Sequence, residues 1–319
     1  MSTDHLKVGL AQIAPVWLNR EETLSKVIDY IHQAKREEIE LLAFGEALVP
    51  GYPFWIELTS GARFNAPDQK VIHAHYMKQA VQIENGELDK VCATVKETGV
   101  SIYLGIIERA KNRGGHSLYC SMVYIDNKGH ICSVHRKLMP TYEERLTWSA
   151  GDGNGLQVHQ LKAFTVGGLN CWENWMPLAR SALYGLGEDL HVAIWPGNDS
   201  NTRDLTRFIA KESRSYVMSV SGLMRTKDFP SNTPHLEDIL SACDSDILSN
   251  GGSCLCGPDG EWLIEPQCNE EGIYSATINH EIVRQERQNF DPSGHYSRPD
   301  VTKLIVDRRR QSVVEYIDK

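Results

Sequence analysis

Apolar and polar positions follow two rhythms along the chain. Short apolar runs at VGLAQIAP (8–15), ELLAF (40–44), VSIYLGII (100–107), FTVGGLN (164–170), LHVAIWP (190–196) and VMSVSGLM (217–224) read as strands buried on both faces. Between them, apolar residues return at helical spacing. Leu24, Val27, Ile28, Ile31 and Ala34 predict a helix over 21–38, and further helices are expected over 68–84, 87–98, 176–187 and 202–216. The glycines at the end of 176–187 suit a helix stop. LYCSMVYID (118–126) and HICSVH (130–135) flank Asn127-Lys128-Gly129, and GSCLCGPDGEWLIE (252–265) turns at Pro258-Asp259-Gly260, so both read as hairpins. A strand near 272–279 and a helix near 280–289 follow. Strand–helix alternation with interspersed hairpins predicts an α/β fold with mixed sheets. With no repeat, low-complexity tract or linker, one domain over 1–319 is expected, with a tail from about 291.

Composition narrows the classes of function. Hydrophobic residues make up 41% and charged residues 24% of the chain, which supports a full core. A net charge of −9 is a poor match for nucleic-acid phosphates, so no nucleic-acid partner is expected. The basic run Arg308-Arg309-Arg310 reads as a solvated segment. No apolar stretch is long enough to span a bilayer, and MSTDHLKVGLAQIAP shows no secretory pattern. The cysteines at 92, 120, 132, 171, 243, 254, 256 and 268 are scattered, so free thiols in the cytoplasm are expected. Cys254 and Cys256 lack metal-site spacing, and His73 and His75 form an isolated pair; no metal is expected. Neither a dinucleotide fingerprint nor a phosphate loop occurs, and no cofactor is expected.

Three polar residues stand out because each follows an apolar strand. Glu46 follows ELLAF, Lys137 lies one residue beyond HICSVH, and Cys171 directly follows FTVGGLN. Strand ends are where α/β folds gather functional groups. A free thiol needs a cation or a base to act as a nucleophile, and Lys137 and Glu46 are candidates for those tasks. A buried carboxylate after an apolar strand must be solvated, paired or used. Tyr52, Phe54, Trp55, Tyr142, Trp172 and Trp195 lie near these segments, as does Glu173. Tyr52, Tyr142, Trp172, Glu173 and Trp195 are expected at the substrate.

AFGEALVPGYP (43–53), VHRKLMPTYEERLTWSAGDG (134–153), GGLNCWENWMPLAR (167–180) and GHYSRPD (294–300) together resemble the nitrilase superfamily, specifically its nitrilase branch. The resemblance covers most of the chain and keeps the order of the motifs. It implies an α-β-β-α sandwich. It implies Glu46 as general base, Lys137 as cation, Cys171 as nucleophile and Glu144 as a second glutamate beside the lysine, preferred over the adjacent Glu143. It also implies a small-molecule nitrile and water as partners, and assembly as a homodimer or higher homo-oligomer. Gly45 departs from the proline many relatives have there, which should loosen the local backbone. The chain ends soon after GHYSRPD, which makes spiral assembly doubtful. Rival readings are an amidase or other carbon–nitrogen hydrolase, a cyanide-degrading enzyme, and a silent binding protein on the same fold. The stretch Cys171-Trp172-Glu173-Asn174 resembles the nitrilase branch rather than the amidases.

Overall fold

A computed structural model describes residues 3–315 and 317; Met1, Ser2, Tyr316, Asp318 and Lys319, and with them both ends of the expected domain, lie outside the described residues. Five strands open the first sheet: β1 (His5–Gln12), β2 (Leu41–Phe44), β3 (Ser101–Arg109), β4 (Leu118–Ile125) and β5 (Ile131–Arg136). The second sheet uses β6 (His159–Leu161), β7 (Phe164–Asn170), β8 (Leu190–Trp195), β9 (Tyr216–Ser221), β10 (Leu223–Arg225), β11 (Ile247–Cys256) and β12 (Trp262–Cys268). β13 (Gly272–Asn279) then returns to the first sheet. The α-helices are α1 (Arg20–Arg36), α2 (Trp55–Leu58), α3 (Pro67–Gln79), α4 (Asp89–Thr98), α5 (Pro177–Tyr184), α6 (Asp199–Ser213), α7 (Leu236–Ser241) and α8 (His280–Arg287).

The strand orders are β13-β1-β2-β3-β4-β5 and β10-β11-β9-β8-β7-β6, with β12 also on β11. Each sheet has a parallel centre, β1-β2-β3 or β7-β8-β9, flanked by antiparallel neighbours. Both sheets are therefore mixed, as the alternation predicted. Side-chain alternation in the strands creates the layers. Leu6, Val8, Leu10, Leu41, Ala43, Tyr103 and Met122 meet Phe164, Val166, Leu190, Val192, Ile194, Met218 and Val220 between the sheets. The opposite face of the first sheet, with Leu42, Phe44, Ile102, Leu104 and Ile106, packs on Val27 and Ile31 of α1 and Val91 and Val95 of α4. Ala193, Trp195 and Val217 of the second sheet pack on Leu205, Ile209 and Ala210 of α6. The result is the expected α-β-β-α sandwich. Strands covered on both faces read as continuous apolar runs, which is why they were visible in the sequence.

Local chemistry sets the boundaries. Asn19 caps α1 by accepting from Glu22 N at 3.2 Å, and Pro67 and Pro177 open α3 and α5. The helix expected over 68–84 stops at Gln79, because Val81 instead pairs with the edge of β3 at Glu108. VMSVSGLM breaks at Gly222, where a side chain would crowd Pro196 O; β9 pairs with β8 before the break and β10 with β11 after it. The basic run is not wholly solvated. Arg310 donates to Asp152 Oδ1 and Val134 O, both at 2.9 Å, and ties the tail to β5. Among the described residues no helix is long and apolar enough to cross a membrane.

Candidate active site

Glu46 lies where the first sheet meets the second. Its backbone N–H donates to Trp195 O at 3.1 Å, linking the end of β2 to the end of β8. Gly45 is held rather than loose, contrary to expectation, because it sits against Gly222 N and Trp195 O. The turn also lies flat on β3, where a side chain at Gly105 would collide with Gly45 O.

β5 runs one residue further than expected, so Lys137 follows it directly. Its N–H donates to Cys120 O at 2.7 Å, and its side chain is fully buried. The ammonium lies 2.9 Å from Glu46 Oε1 and 2.7 Å from Glu144 Oε2. Glu144 belongs to a 3₁₀ turn, Tyr142–Leu146, closed reciprocally with Thr141. Its Oε2 also accepts from Thr141 N at 2.6 Å, and its Oε1 accepts from Tyr52 Oη at 3.1 Å. Glu46 has fewer donors. Its Oε1 takes Lys137 and the Cys120 thiol at 3.4 Å, while its buried Oε2 has no partner among the described residues.

Cys171 begins the turn after β7 with a φ of 44°, a left-handed conformation that non-glycine residues adopt at a cost. Asn174 Nδ2 donates to Cys171 O at 2.8 Å and to Leu169 O at 3.3 Å. Behind it, Asn174 Oδ1 lies 2.7 Å from His191 Nε2, and His191 Nδ1 lies 2.9 Å from Glu188 Oε1.

The charges are strongly coupled. Burial raises the Glu46 carboxyl, the Lys137 charge opposes this and Glu144 adds to it, leaving the group at about 7. Burial also pushes the Cys171 thiol well above its ordinary value, against the pull of Lys137. Burial would discharge Lys137, yet Cys171 when ionised, Glu46 and Glu144 outweigh burial and hold the amine well above its ordinary value. At neutral pH the arrangement is a protonated thiol, a fixed ammonium and a carboxylate poised to exchange a proton.

A cleft of about 470 Å³ opens over these groups, lined by Tyr52, Phe54, Glu144, Cys171, Trp172 and Leu248 among others. Tyr52 and Trp172, two of the residues expected at the substrate, line this cleft. Three expected substrate contacts stand elsewhere. Tyr142 is 77% exposed beyond the lining. Trp195 is fully buried in β8, its indole N–H donating to Ser219 Oγ at 3.3 Å. Glu173 is buried and already engaged: it accepts from Leu138 N at 2.7 Å, Asn170 N at 2.8 Å and His135 Nε2 at 3.0 Å. It staples the segment after β5 to the end of β7. The sequence reading also missed Cys120, Asn174, His191 and Glu188. Their one signal was position, since Cys120 and His191 lie inside apolar strands where a polar group needs a partner.

This architecture, with polar groups gathered at the strand ends of two stacked mixed sheets, defines an enzyme class, and residues 7–288 match the carbon–nitrogen hydrolase family. The chain belongs to that family. Within it, the chain sits with the nitrilases. It is 35% identical over 312 residues to a nitrilase 2 from an unknown prokaryotic organism, covering 98% of this chain and 95% of that protein. It is 33% identical to an aliphatic nitrilase from Sinorhizobium fredii (strain HH103), with 97% of both chains covered. Among solved structures, a carbon–nitrogen hydrolase from Helicobacter pylori G27 superposes with a TM-score of 0.69 at 18% identity, covering 93% of this chain and 97% of the other. An amidase from Nesterenkonia sp. superposes with a TM-score of 0.65 at 15% identity, covering 91% and 96%.

Proposed function

We propose that the protein hydrolyses an organic nitrile to the carboxylic acid and ammonia, with Cys171 as nucleophile, Glu46 as general base, Lys137 as fixed cation and Glu144 as the residue that holds Lys137. The reading is carried by the buried ammonium shared between two carboxylates, whose charge opposes the burial that keeps the Cys171 thiol protonated. Nitrilases among the similar proteins favour a nitrile over an amide.

The steps follow from the groups. Glu46 removes the thiol proton as sulfur adds to the nitrile carbon. Negative charge grows on nitrogen, where the Lys137 ammonium opposes it without reorganisation. The proton held by Glu46 passes to that nitrogen and gives a thioimidate. A water molecule, deprotonated by Glu46, adds to the carbon, and Glu46 returns that proton to nitrogen to give a tetrahedral amine. The hydroxyl proton then passes through Glu46 to the amine as the carbon–oxygen double bond forms, the carbon–nitrogen bond breaks and ammonia leaves the thioester. A second water adds to the thioester in the same way, the carbon–sulfur bond breaks, and the acid departs as the thiol is re-formed. The unpartnered Oε2 of Glu46 is free to receive each proton. These steps use protein side chains and water throughout.

The test is ammonia release from aliphatic, aromatic, arylaceto- and dinitriles and cyanide, beside the matching amides, with Cys171→Ala as control. Release from nitriles by the parent alone supports the reading; release from amides alone overturns it.

The reading extends to assembly and location. Trp175, Met176, Leu178 and Phe208 leave apolar surface exposed on and before α5 and on α6, which suits a homodimer. The eight free cysteines suit a reducing cytoplasm.

A further inference from the structure

We propose that the cleft selects nitriles that carry a cationic group at the end remote from the nitrile, and that Glu57 and Asp244 set this preference. The inference rests on the nitrilase reading of the same cavity. Among the lining residues there is no Lys, Arg or His, whereas three are acidic: Glu57, Glu144 and Asp244. Lys137 neutralises Glu144. Glu57 on α2 and Asp244 on the segment between α7 and β11 are exposed, and neither has a hydrogen bond or ion pair among the described residues. Nearby Asp246 differs, accepting from Thr226 Oγ1 at 3.0 Å. Two uncompensated carboxylates therefore face the cleft from two different elements.

The interior points the same way. Tyr52, Phe54, Trp172 and Leu248 offer apolar wall for a hydrocarbon body. Glu46, whose buried Oε2 has no partner among the described residues, lines a small recess that shares Tyr52, Phe54 and Pro196 with the cleft. The reacting end thus has an orphaned acceptor and the outer end has spare negative charge. A carboxylate-bearing nitrile would bring like charge to that outer end. Each exposed carboxylate at contact distance favours a cation by about fivefold in water, and an anion is disfavoured similarly. The preference shrinks as salt screens it.

The test compares kcat/KM for three aliphatic nitriles of equal length ending in ammonium, methyl or carboxylate. The parent should prefer the ammonium to the carboxylate substrate by roughly twentyfold or more at low salt, and by a few-fold at about 1 M salt. Glu57→Gln with Asp244→Asn should collapse the ratio toward unity, while Glu97→Gln on α4 leaves it intact. Equal use of both charged substrates by the parent, or an unchanged ratio in the double variant, overturns the proposal. If only amides release ammonia, the nitrilase reading fails, and the same ratio on amides of matched charge decides the charge preference separately.

Behind the nucleophile, we infer that Asn174, His191 and Glu188 are positioning residues that hold Cys171 in its strained conformation. All three are fully buried or nearly so. Because Asn174 Nδ2 donates to Cys171 O, its Oδ1 is an acceptor and His191 Nε2 must donate to it. One proton then lies between His191 Nδ1 and Glu188. Arg180 clamps the other side, donating to Asn174 O at 2.6 Å and pairing with Glu212. Asn174→Asp removes the donor to Cys171 O and keeps an acceptor for His191. It should lower kcat by about tenfold to a hundredfold at similar KM, and slow alkylation of Cys171 by iodoacetamide. Glu188→Gln can donate to Nδ1 of a neutral imidazole and should restore most of the rate lost in Glu188→Ala. Parental kcat and parental alkylation in a folded Asn174→Asp protein, or equal losses in both Glu188 variants, sink the inference.

Discussion

Glu46 and Glu173 are both buried carboxylates beside strand ends, yet their surroundings drive them in opposite directions. Glu173 has three donors spread over both oxygens, and its carboxyl lies below the ordinary value: burial would raise it, but His135 and the backbone N–H groups of Leu138 and Asn170 outweigh burial. Glu46 has donors on one oxygen only, and burial reinforced by Glu144 leaves it at about 7 despite Lys137. Burial alone does not decide the character of a carboxylate; the number of hydrogen bonds to its charged form does. The satisfied one fixes geometry, and the orphaned one is left able to move a proton.

The largest expected break in this contrast is at Glu46. Glu46→Gln keeps the shape and removes the proposed base, and should lower kcat by about 10²–10⁴ while leaving the protein folded. Steady-state ammonia release with circular dichroism checks it; a loss below tenfold would contradict the assignment of the base. Glu173→Gln should do the converse. It places an amide N–H against the backbone N–H of Leu138 or Asn170 and takes the negative charge from beside His135, costing about 3–5 kcal/mol of stability. The midpoint of urea unfolding measures this, and an unchanged midpoint would show that the staple is not needed.

The two groups should also separate along the pH axis. As the proposed base, Glu46 must be ionised to accept the thiol proton, so kcat/KM should fall about tenfold per pH unit below about 7. Its raised folded value means the folded state holds the proton more tightly. Ionising Glu46 therefore erodes stability as pH rises from the unfolded value of 4.5 toward 7. Glu173 has the opposite sign: its lowered folded value contributes stability above the unfolded value, lost as pH falls through the folded one. Urea midpoints for the parent and both Gln variants between about pH 3 and 8 should show the acid-side slope reduced in Glu173→Gln and the neutral-side slope reduced in Glu46→Gln.

The Glu46 side of this contrast is legible in the sequence, and the Glu173 side is not, for identifiable causes. FTVGGLN and the strand at 272–279 match their strands at both ends, because their apolar pattern and flanking turns coincide. Glu46, Lys137 and Cys171 are legible as polar residues at or within two residues of the ends of apolar strands. Glu173 was misread because adjacency to Cys171 suggested the substrate side. A 3₁₀ turn after β7 instead carries its carboxylate back onto Asn170 N and across to Leu138 N. Trp195 was misread because a strand residue next to the site can point to either face; it points to α6. His191 and Cys120 show in the sequence only as polar groups inside apolar strands, because their partners Asn174 and Glu46 lie 17 and 74 residues away, a pairing only the folded chain supplies.

Glu144 lies between the two extremes and offers the finest adjustment. Its Oε2 is held by Lys137 and Thr141 N, and its Oε1 by Tyr52 Oη alone. Tyr52→Phe removes that one donor and leaves the aromatic wall of the cleft in place. Glu144 then gains freedom to rotate, and Lys137 loses part of the frame that would aim it at the developing charge in the proposed reaction. A hydrogen bond to a charged group is worth about 1.5–3 kcal/mol, and water entering the cleft can replace much of it. The expected cost is therefore about tenfold in kcat or less, with KM for a nitrile changed by under about threefold. A hundredfold loss would place Tyr52 among the groups that act on the reacting atoms. No change in kcat would show that Lys137 is held by Glu46 and Glu144 without help from the cleft wall.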